Sequence, residues 1–212
     1  MKFDFDRVLV LSPHTDDAEL GAGGTIARLM EEGKIIHYII FSRCEESVPE
    51  GLPRDVLQNE CMNSMAVLGV GSSNAVLLDY KVRYFPEHRQ EILEDLIKFR
   101  KALKPDLVLI PSSRDMHQDH ATVYWEALRA FKKEASIWGY EHPWNNLTFT
   151  TDVFVRLEQR HIDKKIRALS QYKSQQNRSY MDERNILALA YTRGAQLDTT
   201  LAEAFELVRI IY

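Results

Sequence analysis

The stretch Val8-Leu9-Val10-Leu11-Ser12-Pro13-His14-Thr15-Asp16-Asp17-Ala18-Glu19-Leu20-Gly21 decides the fold. Val8 to Leu11 form a short apolar run that stops at Ser12-Pro13, as a buried strand and its exit do. From Glu19 to Glu32 the pattern becomes helical, with Ile26, Leu29 and Met30 on one side and Gly33 as a C-terminal stop. Ile35 to Phe41 is β-branched and aromatic, hence a second strand. The alternation then continues. A loop with Pro49, Gly51 and Pro53 leads to a helix over Arg54 to Leu68 that closes on Gly69. A short strand over Ala75 to Leu78 and an amphipathic helix over Glu87 to Leu103, stopped by Pro105, come next. A fourth strand, Leu107 to Ile110, precedes a helix over Ala121 to Lys133. Strands alternating with helices of this length imply βαβ units. The expected class is α/β, a Rossmann-like and mostly parallel sheet flanked by helices.

The later chain adds C-terminal strands and helices. Thr150 to Leu157 alternates, His161 to Tyr172 and Glu183 to Tyr191 are helical, and Phe205 to Ile211 reads as a last strand. With no repeat, low-complexity stretch or linker, residues 1–212 are expected to form a single domain. The 212 residues are 45% apolar, enough for one sizeable core. Lys plus Arg total 27 against 31 acids, a formal charge of -4, which points away from a nucleic-acid partner. Apolar runs fall short of the ~18 residues of a membrane helix, so no integral membrane segment is expected. Met1 to Asp6 carries acids where a secretory signal needs a basic start. Cys44 and Cys61 do not make a disulfide framework and read as free thiols, so a cytoplasmic protein is expected.

Two clusters carry chemistry. Pro13-His14-Thr15-Asp16-Asp17-Ala18-Glu19 leaves the first strand and enters a helix. Three acids beside a histidine are costly at a strand end unless a cation lies among them. His14 and Asp17 have a spacing that a tight turn folds onto one ion, which leaves Asp16 free as a base. Helix capping by Asp16 or Asp17 would explain the acids, but not the histidine. Gly21-Ala22-Gly23-Gly24 has the wrong spacing for a dinucleotide loop, and the acids before it would repel a pyrophosphate. A magnesium-holding receiver domain, suggested by the acidic pair and by Asp79-Tyr80-Lys81, would be shorter and would leave His14 without a role.

His117-Gln118-Asp119-His120 follows the fourth strand by a short loop. Its residues suit a ligand, an acid and a carboxylate that orients an imidazole. In an open parallel sheet, sites form beyond the carboxyl ends of strands where the strand order reverses. If strands one to three wind outward and the fourth starts again beside the first, the two clusters meet. His14, Asp17 and one histidine of the second cluster then make a three-ligand site with an open position, the arrangement of catalytic zinc.

Together these motifs resemble the LmbE-like (PIG-L) family of zinc-dependent N-acetylglucosamine de-N-acetylases. Weaker echoes lie at Leu68-Gly69, Tyr140-Glu141, Ser174-Gln175, Arg193-Gly194 and Ala202-Glu203-Ala204-Phe205. The resemblance implies Zn2+ as cofactor, with His14, Asp17 and His120 as ligands. It implies Asp16 as general base, His117 as a protonated imidazole that stabilises the oxyanion and helps protonate the leaving amine, and Asp119 as a supporting carboxylate. The implied reaction removes the acetyl group of an N-acetylated amino sugar or its conjugate, a small-molecule partner, by metal-activated water.

The chain departs from the family pattern at Ser42-Arg43-Cys44-Glu45-Glu46, where a Thr/Gly-rich turn is usual. It departs again at Leu201 and at Asp115, each in place of a tyrosine. None of these is expected to touch the ligands. Arg54 and Gln175 are candidate substrate contacts. Trp138, Tyr140, His142, Trp144 and Asn145 crowd what reads as a short loop, suited to stacking on a sugar, to covering the core edge or to a homo-oligomer interface. Two rivals stand beside the deacetylase. One is a zinc amidase of a non-sugar acylated amine, and the other is a domain that binds metal without chemistry.

Overall fold

A computed structural model describes residues 5–211. The acidic start at Met1 to Asp4, on which the reading against a secretory signal leans, lies outside them. Seven strands form one sheet: β1 (Arg7–Ser12), β2 (Ile35–Ile40), β3 (Ala75–Leu77), β4 (Leu107–Pro111), β5 (Ser136–Tyr140), β6 (Val153–Leu157) and β7 (Leu201–Arg209). Their order is β3-β2-β1-β4-β5-β7-β6. The first five are mutually parallel, and β7 runs antiparallel to both β5 and β6, so the sheet is mixed.

The helices are α1 (Asp17–Glu31), α2 (Val56–Leu68), α3 (Arg89–Leu103), α4 (Gln118–Phe131), α5 (Gln159–Leu169) and α6 (Glu183–Ala195). Alternation along β1 sorts them into two layers. Val8 and Val10 face a core shared with α1, α2, α5 and α6. Leu9 and Leu11 face a second core shared with α3 and α4. A strand covered on both faces must be apolar throughout, which is why Val8 to Leu11 shows no polar alternation.

The expected winding is observed: β1 pairs with β2 on one side and with β4 on the other. Helix α1 stops as expected, with Gly33 in the left-handed region (φ 78°) and its N–H donating to the Met30 carbonyl. Two elements differ from expectation. Ser136 to Tyr140 is a fully buried strand rather than part of a loop. Its Ile137-Trp138-Gly139-Tyr140 run is the β-forming signal that marks it. The last strand begins at Leu201 instead of Phe205, because Ala and Glu are poor strand formers and mask its start. No helix among the described residues is long and apolar enough to cross a membrane, and Cys44 and Cys61 are both free and buried.

Candidate metal centre

The site lies where β1 and β4 part. After β1, the Ser12 hydroxyl donates to the His14 carbonyl (2.6 Å) and accepts from the Ala18 N–H (3.1 Å), which pins the turn. Within it the His14 N–H donates to Asp17 Oδ2 (2.8 Å). Asp16 holds the N-cap position of α1 but makes no side-chain capping bond, so capping does not account for this acid. After β4, the loop enters α4 through His117, whose Nδ1 accepts from the Asp119 N–H (3.2 Å).

His14, Asp17 and His120 converge. His14 Nδ1 lies 3.1 Å from Asp17 Oδ2, His120 Nε2 lies 3.1 Å from the same oxygen, and the two ring nitrogens are 3.1 Å apart. Each imidazole is held from behind by a buried carboxylate. His14 Nε2 is 3.1 Å from Asp119 Oδ2, and His120 Nδ1 is 2.7 Å from Asp115 Oδ2. Ring N–H groups donating to these carboxylates leave a lone pair on each inward nitrogen. Two lone pairs and a carboxylate oxygen then face one another, an arrangement that a cation resolves. A tetrahedral zinc with bonds of ~2.0–2.1 Å separates its ligand atoms by ~3.3 Å, close to the observed triangle. The residues therefore fit a divalent metal.

The carboxylates draw positive charge to this point, as a proton on the rings or as a metal ion in its place. Burial alone would depress His14 and His120, but the Asp17 carboxylate and the carboxylates behind them outweigh it. His14 rises to about 10 and His120 to about 9. Asp17 is buried yet held well below the usual carboxylate range by His120 and His14. Beside the triangle, burial and then Asp17 push Asp16 up to about 6.

His117 stands beside the triangle, in the pocket wall. Burial, then His120 and His14, press its pKa down to about 4. Because Nδ1 accepts, hydrogen-bond logic places its ring proton on Nε2. Asp119 is fully buried and also receives the N–H groups of Arg83 (2.6 Å) and Phe85 (3.2 Å). It steadies His14 from behind and does not line the pocket.

Two members of the site went unassigned in the sequence. Asp115 stood out only as a replacement for a tyrosine, and His142 only as one of a group of aromatics. His142 Nε2 meets the Asp17 carbonyl (2.9 Å) and its Nδ1 lies 3.3 Å from Asp115 Oδ2. His117 and His142 are near enough to join wider donor sets, with donor atoms within 4.8 Å of one another. Both nitrogens of His142 are nevertheless engaged.

The pocket over the triangle holds about 280 Å³, with Asp16, His117, Trp144, Asn145, Gln175 and Tyr180 in its walls. Gln175 is thus brought to the site. Arg54 is not: its side chain is exposed and lies 3.9 Å from Glu45. Trp138 and Tyr140 are buried in the core, where the Tyr140 hydroxyl donates to the Leu11 carbonyl (2.9 Å).

A histidine- and carboxylate-lined site at the carboxyl edge of a mostly parallel sheet defines a class of metal-binding α/β proteins. Residues 9–131, more than half of the chain, match the family model described as PIG-L, GlcNAc-PI de-N-acetylase, and the protein belongs to that family. Membership makes it a hydrolase of the deacetylase type. The chain is 27% identical over 170 residues to an uncharacterized deacetylase, YaiS, of Escherichia coli K12, covering 79% of this chain and 90% of that protein. The fold is shared with N,N'-diacetylchitobiose deacetylase of Pyrococcus horikoshii (TM-score 0.81, 21% identity, covering 97% of this chain and 84% of that one). It is shared equally with GalB, the 4-carboxy-2-hydroxymuconate hydratase of Pseudomonas putida KT2440 (TM-score 0.79, 19% identity, 98% of each chain). One fold thus carries more than one reaction, and the site must decide.

Proposed function

We propose that the protein is a zinc-dependent de-N-acetylase that releases acetate from an N-acetylated amino sugar or its conjugate. The observation that carries this reading is the pairing of a three-donor triangle with two groups that a metal does not need, Asp16 and His117. Bound by His14, Asp17 and His120, zinc would supply Lewis-acid charge beside the acyl carbonyl and make water acidic enough to attack at neutral pH. Asp16, unengaged as a cap and lining the pocket, accepts the proton of the attacking water. The His117 Nε2–H donates to the carbonyl oxygen as negative charge builds on it, and the proton taken from water passes through Asp16, helped by His117, to the amine nitrogen as the C–N bond breaks, so that acetate and the free amine leave. Asp119 and Asp115 keep His14 and His120 in the ligating tautomer. Gln175 and Asn145 offer amide groups to substrate hydroxyls, and Tyr180 offers a ring face.

The test is acetate release by zinc-loaded protein across nucleotide-, lipid- and glycoside-linked N-acetylamino sugars. Asp16→Ala is expected to keep its zinc and lose ~10²–10⁴-fold in kcat. Release from none of the N-acetylhexosamine compounds rejects the reading, and full activity in Asp16→Ala rejects the base.

A further inference from the structure

A second cavity, about 450 Å³, opens between α6, β7 and the segment after β5. That volume is in the ~300–1,000 Å³ range of small-molecule sites. Leu20, Pro143, Ile186, Leu189, Ala190 and Ala204 line much of it. The charged groups in its walls are already paired. Lys165 Nζ donates to Glu203 (2.7 Å) and to the Leu20 carbonyl (2.7 Å), and Glu203 also receives the N–H groups of Gly24 and Thr25. Glu141 is paired with Arg193. What remains to offer is apolar surface.

This cavity shares a wall with the metal pocket. Trp144 and Tyr180 line both spaces, and their rings stack at 4.5 Å and 19°. Trp144 stacks in turn on His142 (4.9 Å, 20°), the residue that holds the Asp17 carbonyl. The partition is therefore two ring layers seated on the metal turn, and Trp144 is 40% exposed at its edge.

We propose that this cavity receives an apolar chain or ring carried by the substrate, which passes Trp144 and Tyr180 while the acyl group to be cleaved sits in the metal pocket. The inference rests on the hydrolase reading above and narrows the substrate to an amphiphile. The apolar part is either the acyl tail or a group on the amine side, and two substrate series tell them apart.

In one series, glucosamine carries N-acyl chains from acetyl to octanoyl. In the other, N-acetylglucosamine carries O-alkyl chains from ethyl to octyl. Zinc-loaded protein is expected to gain up to about fourfold in kcat/KM per buried methylene in one series, levelling off once the cavity is full. A slope in the first series identifies the acyl tail, and one in the second identifies the alkyl group. Ala188→Trp and Thr192→Trp, at exposed positions of α6 that line the cavity, are expected to flatten that slope.

Titration calorimetry of the alkyl series on metal-free protein gives a readout that needs no hydrolysis. Chain-length-dependent binding without acid release would leave the cavity standing and remove the deacetylase. Release of acid with a flat slope in both series, or a slope unchanged in both tryptophan variants, would overturn the cavity proposal alone.

Discussion

His14 and His120 each turn one ring nitrogen toward the triangle and the other toward a buried carboxylate, so neither ring is free to choose its tautomer. Asp115 is the more informative of the two carboxylates, because it faces both His120 and His142. Burial raises its pKa, but hydrogen bonds from these two rings outweigh burial and hold it below the ordinary range. Asp115→Asn removes the charge that favours the Nδ1–H tautomer of His120. The expected result is ~10–100-fold weaker zinc binding, measured by competition with a chromophoric chelator, with the fold retained. Unchanged affinity would show that His120 is oriented by packing alone. Asp115 and His142 were hard to see in the sequence for a plain reason. Asp115 meets His120 in α4, 5 residues on, and His142 in the segment after β5, 27 residues on, so no single local spacing advertises the three together.

At the scale of elements, α1 carries the site at its first turn and is fitted closely to the sheet further along. A Cβ at Gly21 would lie 2.4 Å from a Tyr140 ring carbon, and one at Gly23 2.8 Å from the Lys165 side chain. The glycines serve this close approach. The acids of the first cluster, by contrast, proved not to be caps, whereas Asp182 is one: it accepts from the Arg184 N–H (2.9 Å) at the start of α6. Hydrogen bonds from Arg184 hold Asp182 down to about 2. A carboxylate with a depressed folded pKa stabilises the fold above its unfolded pKa of ~3.9 and loses that contribution as pH falls through the folded value. Asp182→Ala is therefore expected to lower Tm at pH 7, and the difference from wild type should shrink between about pH 4 and pH 2. A difference that persisted unchanged at acid pH would assign the effect to helix propensity instead of charge.

At the scale of the molecule, the three donors come from two chain segments more than a hundred residues apart, brought together by the β1–β4 pairing. A metal held by both segments binds the folded chain alone and must stabilise it as a whole. Zinc at ~100 times its Kd is expected to add ~2.7 kcal/mol, seen as a concentration-dependent rise in Tm. His120→Ala should abolish the rise, and a rise retained in that variant would place the ion elsewhere.

The sequence by itself determined the layered α/β scheme, since short β-branched apolar runs alternate with amphipathic helices along the chain. It also showed that, if the fourth strand started again beside the first, the two clusters would meet, and the β1–β4 pairing of the structure supplies that condition. The packing of α1 on β5, the carboxylate and imidazole behind the ligands, and the stacked partition between two cavities were decided only by the tertiary structure. Each depends on side chains distant in sequence meeting in a dry interior, where burial and neighbouring charge, rather than residue type, set what a group can do.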